Sequence, residues 1–280
     1  MPQNVADIIK RRIEKFVRKQ KRHPNAKRLL AEGDSWFSFG HMMWWSKTLV
    51  ERLNDYKTVN IVSVANPGAE LQKIVKRDNR DWGIANHAPW MKKQNYDAVL
   101  FSGGGNDIVG TELVNYLEDK STGKTGLALI KQTELDKQLD RMRKQYQALR
   151  KTIDAEVAST NGKTVPIITH GYDYAFPSGQ GASLFGGLVS VGPWILPNFI
   201  SKGILDFSEQ AMIVNELVDQ FNQLLSDLQD SKPAGIKGFH YIDLRGMLKK
   251  GDWSDELHPT AVGRDKIAAK LRADIVALLS

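Results

Sequence analysis

The 280-residue chain contains no cysteine, so no disulfide can brace it and no thiolate can hold a metal. The same absence leaves the redox compartment open. Paired metal-ligand spacing is also missing: His41, His87, His170 and His240 stand apart from one another and read as packing or surface residues. No apolar h-region follows Met1-Pro2-Gln3-Asn4, so no Sec leader is expected and the default location is cytoplasmic. Residues 175–201 lack any charge and are rich in Gly, Phe, Leu, Val and Trp. They are numerous enough for a membrane span, but Pro193, Pro197 and several glycines interrupt them. A lid or pocket wall, favouring longer acyl chains if it lines an acyl site, is the better reading of this stretch.

What is present begins with an uneven distribution of charge. The hydrophobic share of 41% and the charged share of 25% are ordinary for a globular chain, and the net charge is +7. Residues 1–28 hold ten Lys or Arg against only Asp7 and Glu14, so the rest of the chain is close to neutral. Within this arm Val5, Ile8, Ile9, Ile13, Phe16 and Val17 fall at helical spacing. The arm, residues 1–27, therefore reads as an amphipathic helix docked on a body formed by residues 28–280. Contact with an anionic membrane surface is the alternative. No nucleic-acid partner is expected, because the basic character stops where the body begins.

The body alternates short apolar strands with helices. Strands are expected at Arg28–Ala31, Thr58–Ala65, Tyr96–Ser102, Thr164–Thr169 and Phe239–Leu244. Helices are expected at His41–Asn54, Ala69–Arg77, Thr133–Val157, Ser208–Leu228 and Thr260–Leu279, the last capped by Thr260. Short buried strands separated by helices predict a parallel sheet covered on both faces, a three-layer α/β/α sandwich with five central strands. Ligands bind outside the carboxyl ends of such strands. Ser35, Gly68 and Asn106 each follow a strand directly, and Asp255 and His258 follow the fifth after a longer loop, so all should meet at one edge.

These residue types suit one chemistry. A serine hydroxyl needs an imidazole to take its proton, and the imidazole needs a carboxylate to fix its tautomer. Asp255 and His258, three residues apart, can share one turn, and Ser35 supplies the hydroxyl. Each residue also has a plainer reading: Ser35 as a helix cap, Gly68 as a turn glycine, Asn106 as an Asx turn, His258 as a loop histidine. Asp34 and Asp107 read as structural acceptors at strand ends. Two other signals fail. Gly123-Lys124-Thr125 lacks the earlier glycine of a phosphate loop, and Phe185 stands where a nucleophile elbow would end in glycine.

Four ordered blocks carry a resemblance: Gly33-Asp34-Ser35, Asn66-Pro67-Gly68, Gly104-Gly105-Asn106-Asp107 and Asp255-Glu256-Leu257-His258-Pro259. Together they resemble the SGNH hydrolases, the GDSL esterase/lipase family, over about residues 28–280. The resemblance implies the flavodoxin-like SGNH fold and a serine ester hydrolase that needs no cofactor. It implies Ser35 as nucleophile, His258 as base and Asp255 as its orienting acid. The oxyanion donors would be the backbone N–H groups of Ser35 and Gly68 and the Asn106 side chain. Trp36-Phe37 departs from the Leu-Ser that commonly follows the family's serine, and the insertion at about 172–207 has no counterpart. Substrate, a small-molecule or lipid ester, is thus left open, as is the oligomeric state. Trp36, Trp44, Trp45, Trp82 and Trp90 are candidates for lining the site. Acyl transfer to a sugar or alcohol, or a silent ligand-binding protein, are the rival readings.

Overall fold

The computed structural model describes residues 5–39, 46–75, 93–184 and 189–280. Five strands form one sheet: β1 (Lys27–Gly33), β2 (Val59–Ser63), β3 (Ala98–Ser102), β4 (Ile167–His170) and β5 (Phe239–Ile242). All their pairings are parallel, and their order across the sheet is β2-β1-β3-β4-β5. That is the flavodoxin-like order, whose direction of winding reverses between β1 and β3. The sequence Ala-Val-Leu-Phe-Ser of β3 is buried along its whole length, as a central parallel strand covered on both faces must be.

Helices cover both faces of this sheet and complete the α/β/α sandwich. Val5–Arg22 and Leu49–Asn54 pack on β2 and Ala261–Leu278 packs on Leu49–Asn54, while Gln132–Glu156 packs with both Leu71–Val75 and Phe207–Asp227. Tyr146 sits between Phe101 and Phe239, with ring centroids 5.8 and 5.6 Å away in edge-on contacts. Its hydroxyl donates to the Gly103 carbonyl at 2.7 Å, which ties the long charged helix to the loop leaving β3.

The basic helix lies against this body. Ile9, Ile13 and Phe16 are buried in the main core, and Asn60 of β2 donates its side-chain N–H to the Phe16 carbonyl at 2.9 Å. Arg12 reaches the Ser63 carbonyl at 2.7 Å, so some of the arm's charge holds the helix in place. None of the described helices is long and apolar enough to cross a membrane.

Several element bounds differ from those read in the sequence. The helix expected from His41 begins at Leu49, because Thr48 and Glu51 form a capping box across its first turn. Residues 41–45 of that expectation lie outside the described residues. The third strand is split: Asn95–Tyr96 pairs separately with Ala158–Ser159 before β3 starts. The fourth runs Ile167–His170 rather than from Thr164, since Pro166 precedes it and cannot donate to a ladder. The uncharged stretch folds as a hairpin, Ala182–Leu184 against Val189–Val191, followed by a short helix, Leu196–Ser201.

Candidate active site

β1 and β3 run side by side with Gly33 opposite Ser102. A Cβ on Gly33 would lie 2.2 Å from the Ser102 carbonyl oxygen, so only glycine lets the two strand ends close up here. Asp34 then caps a single helical turn, Ser35–Ser38, by accepting the Trp36 N–H at 3.0 Å. Ser35 is thereby the first residue of that turn, where backbone N–H groups have no intrahelical acceptor. Asp34, the structural acceptor anticipated from the sequence, also accepts the Ser102 hydroxyl at 2.8 Å and the Tyr172 hydroxyl. Burial pushes its carboxyl pKa up, against the pull of these donors. The cap, not Ser35, satisfies the turn, so the Ser35 hydroxyl is free for other use.

That hydroxyl meets His258 across 223 residues of sequence, with Oγ 2.9 Å from Nε2. On the other side of the ring, Nδ1 lies 2.9 and 3.0 Å from the two Asp255 oxygens. Asp255 is buried and its Oδ1 also accepts the backbone N–H groups of Leu257 and His258, at 2.8 and 2.9 Å. The three-residue spacing thus closes on itself as a tight turn, fastened at its neck by Ser254 donating to the His258 carbonyl at 2.8 Å. Phe39 stacks on the His258 ring, centroids 3.8 Å apart and planes within 7°, and Trp194 meets it edge-on at 5.3 Å. These contacts leave the ring one orientation. An imidazole so placed can take a proton from Ser35 while Asp255 stabilises the cation.

Asn106 lines the same pocket as Ser35, and its Nδ2 donates to the Ala69 carbonyl at 3.2 Å. The glycine block is therefore adjacent to the asparagine block, with Gly68 one residue away at a positive φ of 70°. Asp107 holds the two blocks together by accepting the Leu71 N–H at 3.0 Å. Burial raises its pKa to about 6. Of the five tryptophans picked as lining residues, Trp36 is in the pocket wall, and Trp44, Trp45, Trp82 and Trp90 lie outside the described residues, as do His41 and His87.

Sequence reasoning missed Glu256. It is fully buried beside Asp255, and its carboxylate accepts four backbone N–H groups: Gly179 and Leu196 at 3.0 Å, Trp194 and Ile195 at 2.6 Å. All four donors belong to the uncharged stretch. No sequence signal pointed to it, because backbone N–H groups that anchor a buried acid are present in any non-proline segment. Tyr172, Phe39 and Trp253 were also missed; they reach the site through space, with no motif to mark them.

His170, at the end of β4, is buried beneath the site between Trp36 and Phe37, at centroid distances of 5.5 and 5.3 Å. Its Nδ1 contacts the Gly171 carbonyl at 2.7 Å, whereas Nε2 is buried without a partner among the described residues. A proton there would be stranded, and burial lowers the pKa to about 4. The unfolded chain takes up that proton near pH 6.5, so the stability His170 contributes as a neutral ring is complete above that pH. It is lost as pH falls toward 4, by about 3 kcal/mol. Asp107 has the opposite sign, since its raised pKa makes the folded state bind its proton first as pH drops from about 6. Comparing urea unfolding of the wild type and His170→Phe at pH 7 and pH 4.5 isolates the histidine, and the variant should lose less stability on acidification.

A parallel α/β sandwich with Ser, His and Asp aligned at the carboxyl edge of its sheet defines the class to which this chain is compared. Among solved structures it is similar to a candidate SGNH hydrolase from Slackia heliotrinireducens, at 16% identity over 90% of this chain and 100% of that one, TM-score 0.48. It is similar to a candidate GDSL-like lipase from Parabacteroides merdae, at 15% identity over 91% and 97%, TM-score 0.45. An acetyl xylan esterase from Butyrivibrio proteoclasticus is a third, at 13% identity over 90% and 64%, TM-score 0.47. No family model and no curated protein matches the chain.

Proposed function

We propose that the protein is a serine ester hydrolase of the SGNH type. The observation that carries this reading is the hydroxyl–imidazole–carboxylate line, with Ser35 Oγ 2.9 Å from His258 Nε2 and Asp255 against Nδ1. In the first step Ser35 Oγ bonds to the ester carbonyl carbon while its proton passes to His258 Nε2. The resulting oxyanion collapses, the bond to the alcohol oxygen breaks, and His258 returns the proton to that oxygen. Water then attacks the acyl-serine by the same route, releasing the acid and restoring the hydroxyl. Charge on the carbonyl oxygen in both steps would be met by the Ser35 and Gly68 backbone N–H groups and the Asn106 amide. One such donor typically contributes about 3 kcal/mol in the transition state.

A fluorophosphonate probe tests the assignment directly. It should label the full-length protein once, at Ser35, and abolish turnover of p-nitrophenyl acetate in proportion to labelling. Labelling elsewhere with Ser35 untouched, or turnover that persists after complete labelling, would refute it. Adding an alcohol acceptor and analysing products distinguishes hydrolysis from acyl transfer, which shares the first step.

A further inference from the structure

Resting on the ester-hydrolase reading above, we propose that the acyl pocket of this protein accepts short, uncharged acyl groups and disfavours long ones. The pocket opens beside Ser35 and Asn106 and is walled by Ile108, Val109, Ala175, Val218, Phe221 and Leu257. These are apolar side chains, so the chain they surround is a hydrocarbon. The two carboxylates that reach the same wall are already occupied. Asp34 holds Trp36 N–H and the two hydroxyls described above, and Asp173 accepts the backbone N–H groups of Tyr174, Gly246 and Leu248 at 2.7, 2.7 and 2.6 Å. Neither is available to a cationic acyl group.

Size follows from how the back of the pocket is closed. The pocket leaves about 30 Å³ for the centre of a water-sized group, room for a short chain rather than a long one. The closure is also stiff. Tyr172 is held through its hydroxyl by Asp34, and its ring lies so near Gly105 that a Cβ there would be 2.8 Å from it. Phe221 presses equally on Gly104, where a Cβ would be 2.7 Å from the ring, at a φ of 103°. Both rings are buried, and Ser102 lies 3.4 Å from the Tyr172 hydroxyl. Neither ring can swing aside to lengthen the pocket without entering atoms already packed. A longer chain must therefore displace core, and forced overpacking of a dense interior is strongly unfavourable. Among the described residues of the uncharged stretch 175–201, Ala175 alone reaches this pocket. The longer chains expected if that stretch lined an acyl site are disfavoured on this proposal.

The test uses the full-length protein and p-nitrophenyl esters that share one leaving group: acetate, propanoate, butanoate, hexanoate and octanoate. We expect kcat/KM to be highest for acetate or propanoate and to fall at least about tenfold by hexanoate. Val218→Ala removes two methyl groups from the wall and should move the optimum one or two carbons longer. Ala175→Leu fills the pocket and should depress propanoate more than acetate. Turnover of hexanoate or octanoate at the acetate level, or a chain-length profile unmoved by Val218→Ala, would overturn the size limit while leaving the hydrolase reading intact. Failure to turn over any ester together with failure of the fluorophosphonate probe to label Ser35 is a different result, and removes the hydrolase reading and this limit with it.

Discussion

Ser35→Ala should lower the turnover of a short-chain ester by at least about 10⁴-fold, with no change in fold. Among the described residues the hydroxyl makes a single polar contact, to His258 Nε2 at 2.9 Å, so its loss breaks nothing there that holds the turn. Asp34 remains as the cap, and the Ser38 hydroxyl still donates to the Asp34 carbonyl at 2.8 Å. What disappears is the nucleophile. A residual rate is expected, because oxyanion donors and substrate binding still act on direct attack by water. Steady-state assays beside a thermal melt check both halves: activity above about 1% of wild type would show that Ser35 is not the attacking group.

Asp255→Asn should cost about 10³–10⁴-fold in kcat, again in a folded protein. The amide oxygen can still accept the Leu257 and His258 N–H groups that now meet Oδ1, so the turn survives. The amide N–H group, however, can no longer accept from His258 Nδ1. Nδ1 then faces an N–H donor at the Oδ2 position, 3.0 Å away, beside the retained oxygen at 2.9 Å, so the ring is no longer held in the one tautomer that leaves Nε2 free to accept from Ser35. A variant whose kcat stays within tenfold of wild type would mean that Asp255 does not orient the base.

The parts of the site that were legible are those written as local chemistry. β1 and β3 announce themselves as apolar runs ending in Gly33 and Gly103-Gly104-Gly105, and the close approach of backbone at Gly33 explains why glycine stands there. Asp255 and His258 were readable because one turn brings them together without help from the rest of the fold. Glu51, three residues after Thr48, also marked a helix start in plain view, although apolar periodicity from His41 onward drew the expected boundary too early. Contacts across space left no such trace. Phe39 on His258, Tyr172 on Asp34, and the two rings that shut the acyl pocket each join residues far apart in sequence. The uncharged stretch was visible as an anomaly, but its partner was a single carboxylate on a distant loop. Nothing in its own residues names that carboxylate.

Glu256 also determines which parts of this molecule could be exchanged. Viewed from the sheet, residues 172–207 resemble an ornament, a hairpin and a short helix between the fourth strand and the long helix at Phe207–Asp227. Yet four of their backbone N–H groups converge on the carboxylate that lies between Asp255 and the His258 turn. Trimming the segment would leave a buried anion without these donors one residue from Asp255. Grafting a different loop would require the newcomer to present four N–H groups at the same point. The segment and the Asp-Glu-Leu-His turn are therefore physically coupled, and a redesign of one has to redesign the other at the same time.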